Sequence, residues 1–189
     1  EVAKDRMGDQ DVLASVLQSD MEKLRQTLEE VDRESFEQAT SALAGARKIY
    51  IVGVRSSQAL AVFLHFYLSL IFDGAVLVSA NSASEVFERL FWVEPEDVVL
   101  GISFPRYSTR TVQAMSFARD RGATTVAITD SEASPLAAIS HYTLTARSDM
   151  ASFVDSLVAP LSLVNALLVE VSRKKDDNLA KTFQSLEKI

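Results

Sequence analysis

Five short apolar runs punctuate the middle of the chain: Ile49–Val52, Ala75–Val78, Val98–Ile102, Thr125–Ile128 and Tyr142–Leu144. They are continuous rather than alternating, which marks strands buried on both faces, as in a parallel sheet. Their starts lie 26, 23, 27 and 17 residues apart. The first three spacings leave room for a crossover helix, and helical stretches fit at about 56–72, 82–91 and 108–121. The last gap holds only a turn around Ser134–Pro135–Leu136. Strands alternating with helices predict an α/β fold with a doubly wound, five-stranded parallel sheet.

Helices flank this body. Residues 11–30 place Val12, Val16, Met21, Leu24 and Leu28 on one stripe, and a second acidic helix over 33–44 ends near Gly45, where a C-cap glycine belongs. Residues 1–45 are therefore expected to form a helical arm, solvated on one side and packed on the body with the other. A long helix is expected over 152–173, kinked or loosened by Pro160 in its first turns. A charged break (Arg173 to Asp177) and a short terminal helix follow. The stretches 59–72 and 153–171 are apolar nearly all round. Neither reads as a membrane span, because His65 interrupts the first and Asp155, Pro160 and Asn165 the second. Two apolar faces imply the sheet on one side and a second subunit on the other, in a homodimer or tetramer.

The 189 residues suit one domain with appended helices. The absence of cysteine excludes disulfides, thiolate metal sites and cysteine nucleophiles. With only His65 and His141, a histidine-rich metal site is not expected either, and no signal segment opens the chain, so a cytoplasmic location is expected. The net charge of −7 is uneven: residues 1–45 hold 11 acids and 5 bases, the remainder 15 and 14. Neither part has the basic surplus that phosphate-backbone binding requires, so the chain itself is not expected to bind DNA or RNA.

Ligands of doubly wound sheets sit beyond the carboxyl ends of the strands. After the first strand the loop reads Gly53-Val54-Arg55-Ser56-Ser57. A dinucleotide fingerprint fails there, because Arg55 stands at the second glycine position. No Gly-Lys-Ser/Thr triplet forms a P-loop, and Gly53 and Ser103 stand where a phosphoacceptor domain needs acids. What remains is hydroxyl density. Any single serine at a helix start is accounted for as an N-cap. The third loop exceeds that need: Ser103, Ser108, Thr109 and Thr111 stand within nine residues, interleaved with Arg106 and Arg110. Hydroxyls at two adjacent helix starts, without metal ligands, suit a phosphorylated sugar or polyol, since helix N-termini hold phosphate.

At these residues the chain resembles the sugar isomerase (SIS) domain, a phosphosugar-binding, flavodoxin-like fold. It is most similar to the C-terminal effector domain of RpiR/MurR-type bacterial transcription regulators. The stretches ARKIYIVGVRSSQALA (46–61), VVLGISFPRYSTRTVQAMSFARDRGATTVAITDSEASPL (98–136) and SFVDSLVAPLSLVNALLVEV (152–171) carry the likeness. It implies a SIS domain over 46–189 and, over 1–45, the linker to an N-terminal helix-turn-helix domain. That domain is expected to be absent from this chain, which then reads as an excised effector domain meeting DNA only through the missing part. The resemblance further implies a sugar phosphate touching Ser56, Ser57, Ser103 and Ser108, with Tyr107 and Thr109 beside them, and no cofactor. Two departures from the family pattern stand out. Arg55 replaces a small residue and either salt-bridges or obstructs the phosphate, and His141 stands at a polar position of the fifth strand that is commonly acidic.

An enzyme on the same fold is the alternative. Aldose–ketose isomerisation needs a base beside the substrate, and Glu85, Glu88 and a His65 lent by another subunit are the candidates. Solvated charge accounts for the two glutamates, and a core or interface role for His65, so the sensor reading leads. A scaffold that only dimerises is the third reading.

Overall fold

Residues 11–78, 83–150 and 153–175 are described here in a computed structural model. Six helices and five strands follow one another. They are α1 (Val12–Glu30), α2 (Arg33–Gly45), β1 (Ile49–Gly53), α3 (Ser57–Ile71), β2 (Ala75–Val78), α4 (Ala83–Leu90), β3 (Val98–Ile102), α5 (Thr109–Asp120), β4 (Thr124–Thr129), β5 (Tyr142–Thr145) and α6 (Val158–Lys175). A single 3₁₀ turn, Ala137–Ile139, follows the expected Ser134–Leu136 turn. All strands are parallel, in the order β2-β1-β3-β4-β5. The chain winds outward from β1 to β2, then crosses back over β1 to β3. Gly53 pairs with Ile102 across that reversal, so the loops after β1 and β3 leave the sheet side by side.

The period-two alternation of a strand divides each run between two cores. Ile49 and Ile51 of β1 join Leu100, Ile102, Val126 and Ile128 beneath α2, α3 and α6. Tyr50, Val52 and Val99 face α4 and α5 instead. On that side α5 lies against bare backbone, because a Cβ on Gly101 would meet Met115 Sδ at 2.7 Å. The two strand faces explain why the runs are continuous. From the expected arm, α2 buries Ala39 and Leu43 completely in the first core. Among the described residues no helix is long and apolar enough to cross a membrane.

Three details depart from the sequence reading. Helix α6 starts at Val158, not near 152. Pro160 is then its third residue, within the first turn, where a missing N–H disturbs no intrahelical bond. Just ahead of it, Asp155 and Ser156 spend their side chains on tertiary partners. Second, most of the apolar stripe of α1 is uncovered: Val12, Met21 and Leu28 are 52%, 62% and 62% exposed and Val16 and Leu24 half-buried, while Lys23 and Thr27 are buried. The helix docks through its polar side. Thr27 Oγ1 accepts the Arg147 N–H at 3.0 Å, Glu30 takes two bonds from the Arg147 guanidinium, and Ser156 Oγ donates to Asp20. Third, His141 stands one residue ahead of β5, exposed, with Nδ1 accepting the Thr125 N–H at 3.0 Å. The short helix expected after Asp177 and the loop from Asn81 to Ser82 lie outside the described residues.

Candidate functional site

The loop after β1 is tight because of Gly53. A Cβ there would come within 2.7 Å of the Ser57 carbonyl oxygen, so only glycine lets α3 begin this close to the strand. Two residues on, Arg55 adopts φ 59°, and in the loop after β3 Arg106 adopts φ 66°. Both are left-handed conformations that cost an L-residue roughly 1–2 kcal/mol. They are the only non-glycine residues at positive φ among those described, and both line the same cleft. Strain concentrated in this way is characteristic of ligand sites.

That cleft, of about 220 Å³, opens between the two loops at the carboxyl edge of β1 and β3. Its walls are Val54 to Ser57, Ser103 to Arg106, Ser108 and Asp155. Ser103 Oγ is buried and accepts the Ser108 N–H at 3.0 Å, which closes the β3 loop on itself. Ser108 is the N-cap of α5, its Oγ accepting from the Thr111 N–H at 3.4 Å. Ser57, also buried, opens α3. Ser56 precedes it without capping it; its Oγ donates instead to Asp155 at 2.8 Å. The other Asp155 oxygen takes the Arg106 guanidinium at 2.9 Å. Arg55 is exposed; its carbonyl accepts the Gln58 N–H at 3.1 Å, while its guanidinium has no hydrogen-bond or ion-pair partner among the described residues.

Five of the expected ligand residues, Arg55, Ser56, Ser57, Ser103 and Ser108, thus converge on one cleft, together with Arg106. Tyr107 and Thr109 are not part of its wall. The Tyr107 hydroxyl donates to Asp130 at 2.7 Å, and burial together with that bond pushes its pKa up to about 12. Thr109 is exposed on the first turn of α5. The acid–base candidates also lie elsewhere: Glu85 and Glu88 on α4, and His65 on α3 with Nε2 3.3 Å from Ser69 Oγ. None of the three lines the cleft. The residue that sequence reasoning passed over is Asp155, taken only as a break in an apolar helix. The available signal was a carboxylate in the run SFVDSLV, which demands a partner.

Serine hydroxyls, the starts of α3 and α5 and two guanidinium groups are donors of the kind that an oxyanion such as phosphate can engage. Among the described residues no three His, Asp or Glu side chains come together as metal ligands. A larger groove of about 520 Å³, lined by Leu24, Leu28, Val31, Phe36 and Leu163 among others, separates α1 and α2 from α6. It is mostly apolar, and of its polar lining Arg25, Thr27 and Arg33 are already bonded within the protein, to Glu29, Arg147 and Leu28.

Fold and cleft together define a class, and the SIS-domain family model matches residues 42–170. The chain belongs to that family. It is 24% identical over 185 residues to an HTH-type transcriptional regulator of Caldanaerobacter subterraneus, covering 94% of this chain and 64% of the regulator's length. The sugar isomerase domain of an RpiR transcription factor from Sphaerobacter thermophilus superposes with TM-score 0.88 at 29% identity. That match covers 95% of this chain and all of that one. The NanR protein of Vibrio vulnificus, solved with N-acetylmannosamine 6-phosphate, has the same fold, with TM-score 0.81, 21% identity and coverage of 95% and 69%. Phosphoheptose isomerase from Neisseria gonorrhoeae also shares the fold, at 15% identity.

Proposed function

We propose that this chain is the phosphosugar-sensing effector and dimerisation domain of an RpiR-type bacterial transcription regulator, acting in the cytoplasm. The observation that carries the reading is the convergence of Ser56, Ser57, Ser103 and Ser108 with two left-handed arginines on one cleft at the sheet's switch point. Such a set satisfies a phosphate from several directions and leaves the sugar at the mouth. The likeness to regulators, one of them solved with a sugar phosphate, supports this ligand class. In this reading residues 1–45 are the arm that joins the domain to a helix-turn-helix outside this sequence. Ligand binding draws the loops at 53–57 and 103–109 together, shifts the arm and alters DNA binding. To be allosteric, the ligand must favour one arm arrangement over another, typically by about 1–3 kcal/mol.

The homodimer or tetramer finds its support in uncovered apolar residues: Val62, Phe66 and Tyr67 on α3, Val169 on α6, and Val12, Met21 and Leu28 on α1. A non-enzymatic role is favoured because Asp155, the one carboxylate in the cleft wall among the described residues, is held by Ser56 and Arg106 rather than standing ready to move a proton.

A phosphorus NMR titration against a panel of sugar phosphates tests the reading. A resonance that shifts or broadens while the compound persists is the expected result. New product lines growing with time would replace the sensor with an isomerase. A panel of unmoved lines would leave the scaffold that only dimerises.

A further inference from the structure

The contacts of Asp155 resemble those of a ligand. One oxygen accepts from a serine at the start of α3 and the other from the left-handed Arg106. A hydroxyl and a guanidinium aimed at one small anion are what a phosphate group recruits. The side chain is only 21% exposed, so it bridges the two loops inside the cleft rather than over its rim. The next residue turns the other way. Ser156, buried, donates to Asp20 Oδ1 on α1 at 2.7 Å, and the same oxygen receives Lys23 Nζ at 3.2 Å. Two consecutive residues therefore connect the cleft to α1. They lie ahead of Val158, where α6 begins, so no helical hydrogen bonds fix the pair in place.

We propose that Asp155 is a built-in occupant of the phosphate position, displaced by the ligand, and that its departure is carried through Ser156 to α1. A phosphate monoester takes over Ser56 and Arg106. The carboxylate, now beside a like charge and without its donors, swings toward solvent. The segment around residues 153–157 moves with it and strains the Ser156–Asp20 bond that docks α1. The inference rests on the phosphosugar reading above and adds to it a competitor and a route. Sugar phosphates and inorganic phosphate share the required chemistry, so inorganic phosphate serves as the probe.

The test combines phosphate titration with hydrogen exchange of the α1 amides, on the chain as it stands and on two variants. In the unaltered chain phosphate should speed exchange around Asp20. Asp155→Asn, nearly isosteric, should bind phosphate about two- to fivefold more tightly, the range that a solvent-accessible ion pair such as Arg106–Asp155 accounts for. Its α1 should exchange faster from the outset and respond little to phosphate. Ser156→Ala should bind phosphate somewhat more tightly than the unaltered chain, because the bond that binding strains is gone, and leave α1 unresponsive. Equal or weaker binding by Asp155→Asn would overturn the inference, as would an α1 in the unaltered chain that ignores bound phosphate. If neither the unaltered chain nor Asp155→Asn took up any phosphate compound, the site reading itself would fall, and this inference with it.

Discussion

The loops after β1 and β3 lie side by side, each with an arginine forced to positive φ and a serine at the following helix start. They are nevertheless built on opposite principles. The β3 loop is wired throughout: Ser103 holds the Ser108 N–H, Tyr107 holds Asp130, and Arg106 holds Asp155. The β1 loop is pinned by Gly53 at its base, by the backbone turn in which Arg55 and Ser56 accept the Gln58 and Ala59 N–H groups, and by the Ser56–Asp155 bond, with the Arg55 guanidinium exposed and unpaired among the described residues. One loop presents donors already in position, and the other brings a cation that settles on whatever arrives. Preorganised donors give orientation, and a free guanidinium adds attraction with less geometric demand. The same residue type in the same strained conformation thus serves two ends, decided by whether a carboxylate lies within reach.

The largest blow to the wired loop is Ser108→Glu, which sets a carboxylate against the incoming phosphate and removes the cap of α5. Calorimetric titration with sugar phosphates should then register no uptake. Ser103→Ala comes next. It leaves the Ser108 N–H without its acceptor and withdraws a donor from the ligand, a loss of about 1.5–3 kcal/mol, or roughly ten- to a hundredfold in affinity. Unaltered affinity in either variant would place the ligand elsewhere. Paired substitutions of the arginines compare the loops directly. Arg55→Gly relieves a left-handed side chain at the cost of glycine's extra chain entropy, for a net gain near ~0.5 kcal/mol in denaturant unfolding. Arg106→Gly gains the same relief but gives up the Asp155 pair, and should come out close to neutral. Both should bind phosphate less well. Equal stability changes in the two would mean that the Asp155 contact contributes nothing.

The last effect is confined to alkaline solution. Tyr107 holds its proton to about pH 12 when folded, through burial and the Asp130 bond, while an unfolded tyrosine ionises near pH 10. Its contribution to stability is therefore complete below about pH 10 and drains away as the pH climbs toward 12. Tyr107→Phe should lack that part of the alkaline decline. Identical pH profiles for the two proteins would show that the Asp130 bond does not form in solution.

Much of this was legible from residues alone. The continuous runs named all five strands, because apolar side chains on both faces leave no alternation to misread, and Gly53 and Ser103 placed the two loops at the carboxyl edge of the sheet. The failures share a physical reason. Periodicity says which residues of α1 share a face, but not whether anything covers it, and the buried Lys23 and Thr27 were fixed by Asp20 and Arg147. Adjacency in SFPRYS could not show that Tyr107 leaves for Asp130, since the turn at Arg106 decides the exit direction. Asp155 looked like a defect in an apolar helix because its partners, Ser56 and Arg106, lie far away in sequence.

The pairing of Gly53 with Ile102 bears on how the chain reaches this state. Parallel neighbours cannot be joined by a hairpin, so β1 finds β3 only after a long intervening segment has been looped back, and such non-local closure is the slow part of folding. The two halves of the cleft are on opposite sides of that event. No partly folded species in which β1 and β3 are still apart has anything with which to grip a phosphate. In the proposed reading, a metabolite bound here would recognise finished molecules alone and would add to the stability of the folded state by mass action, slowing its loss to proteolysis.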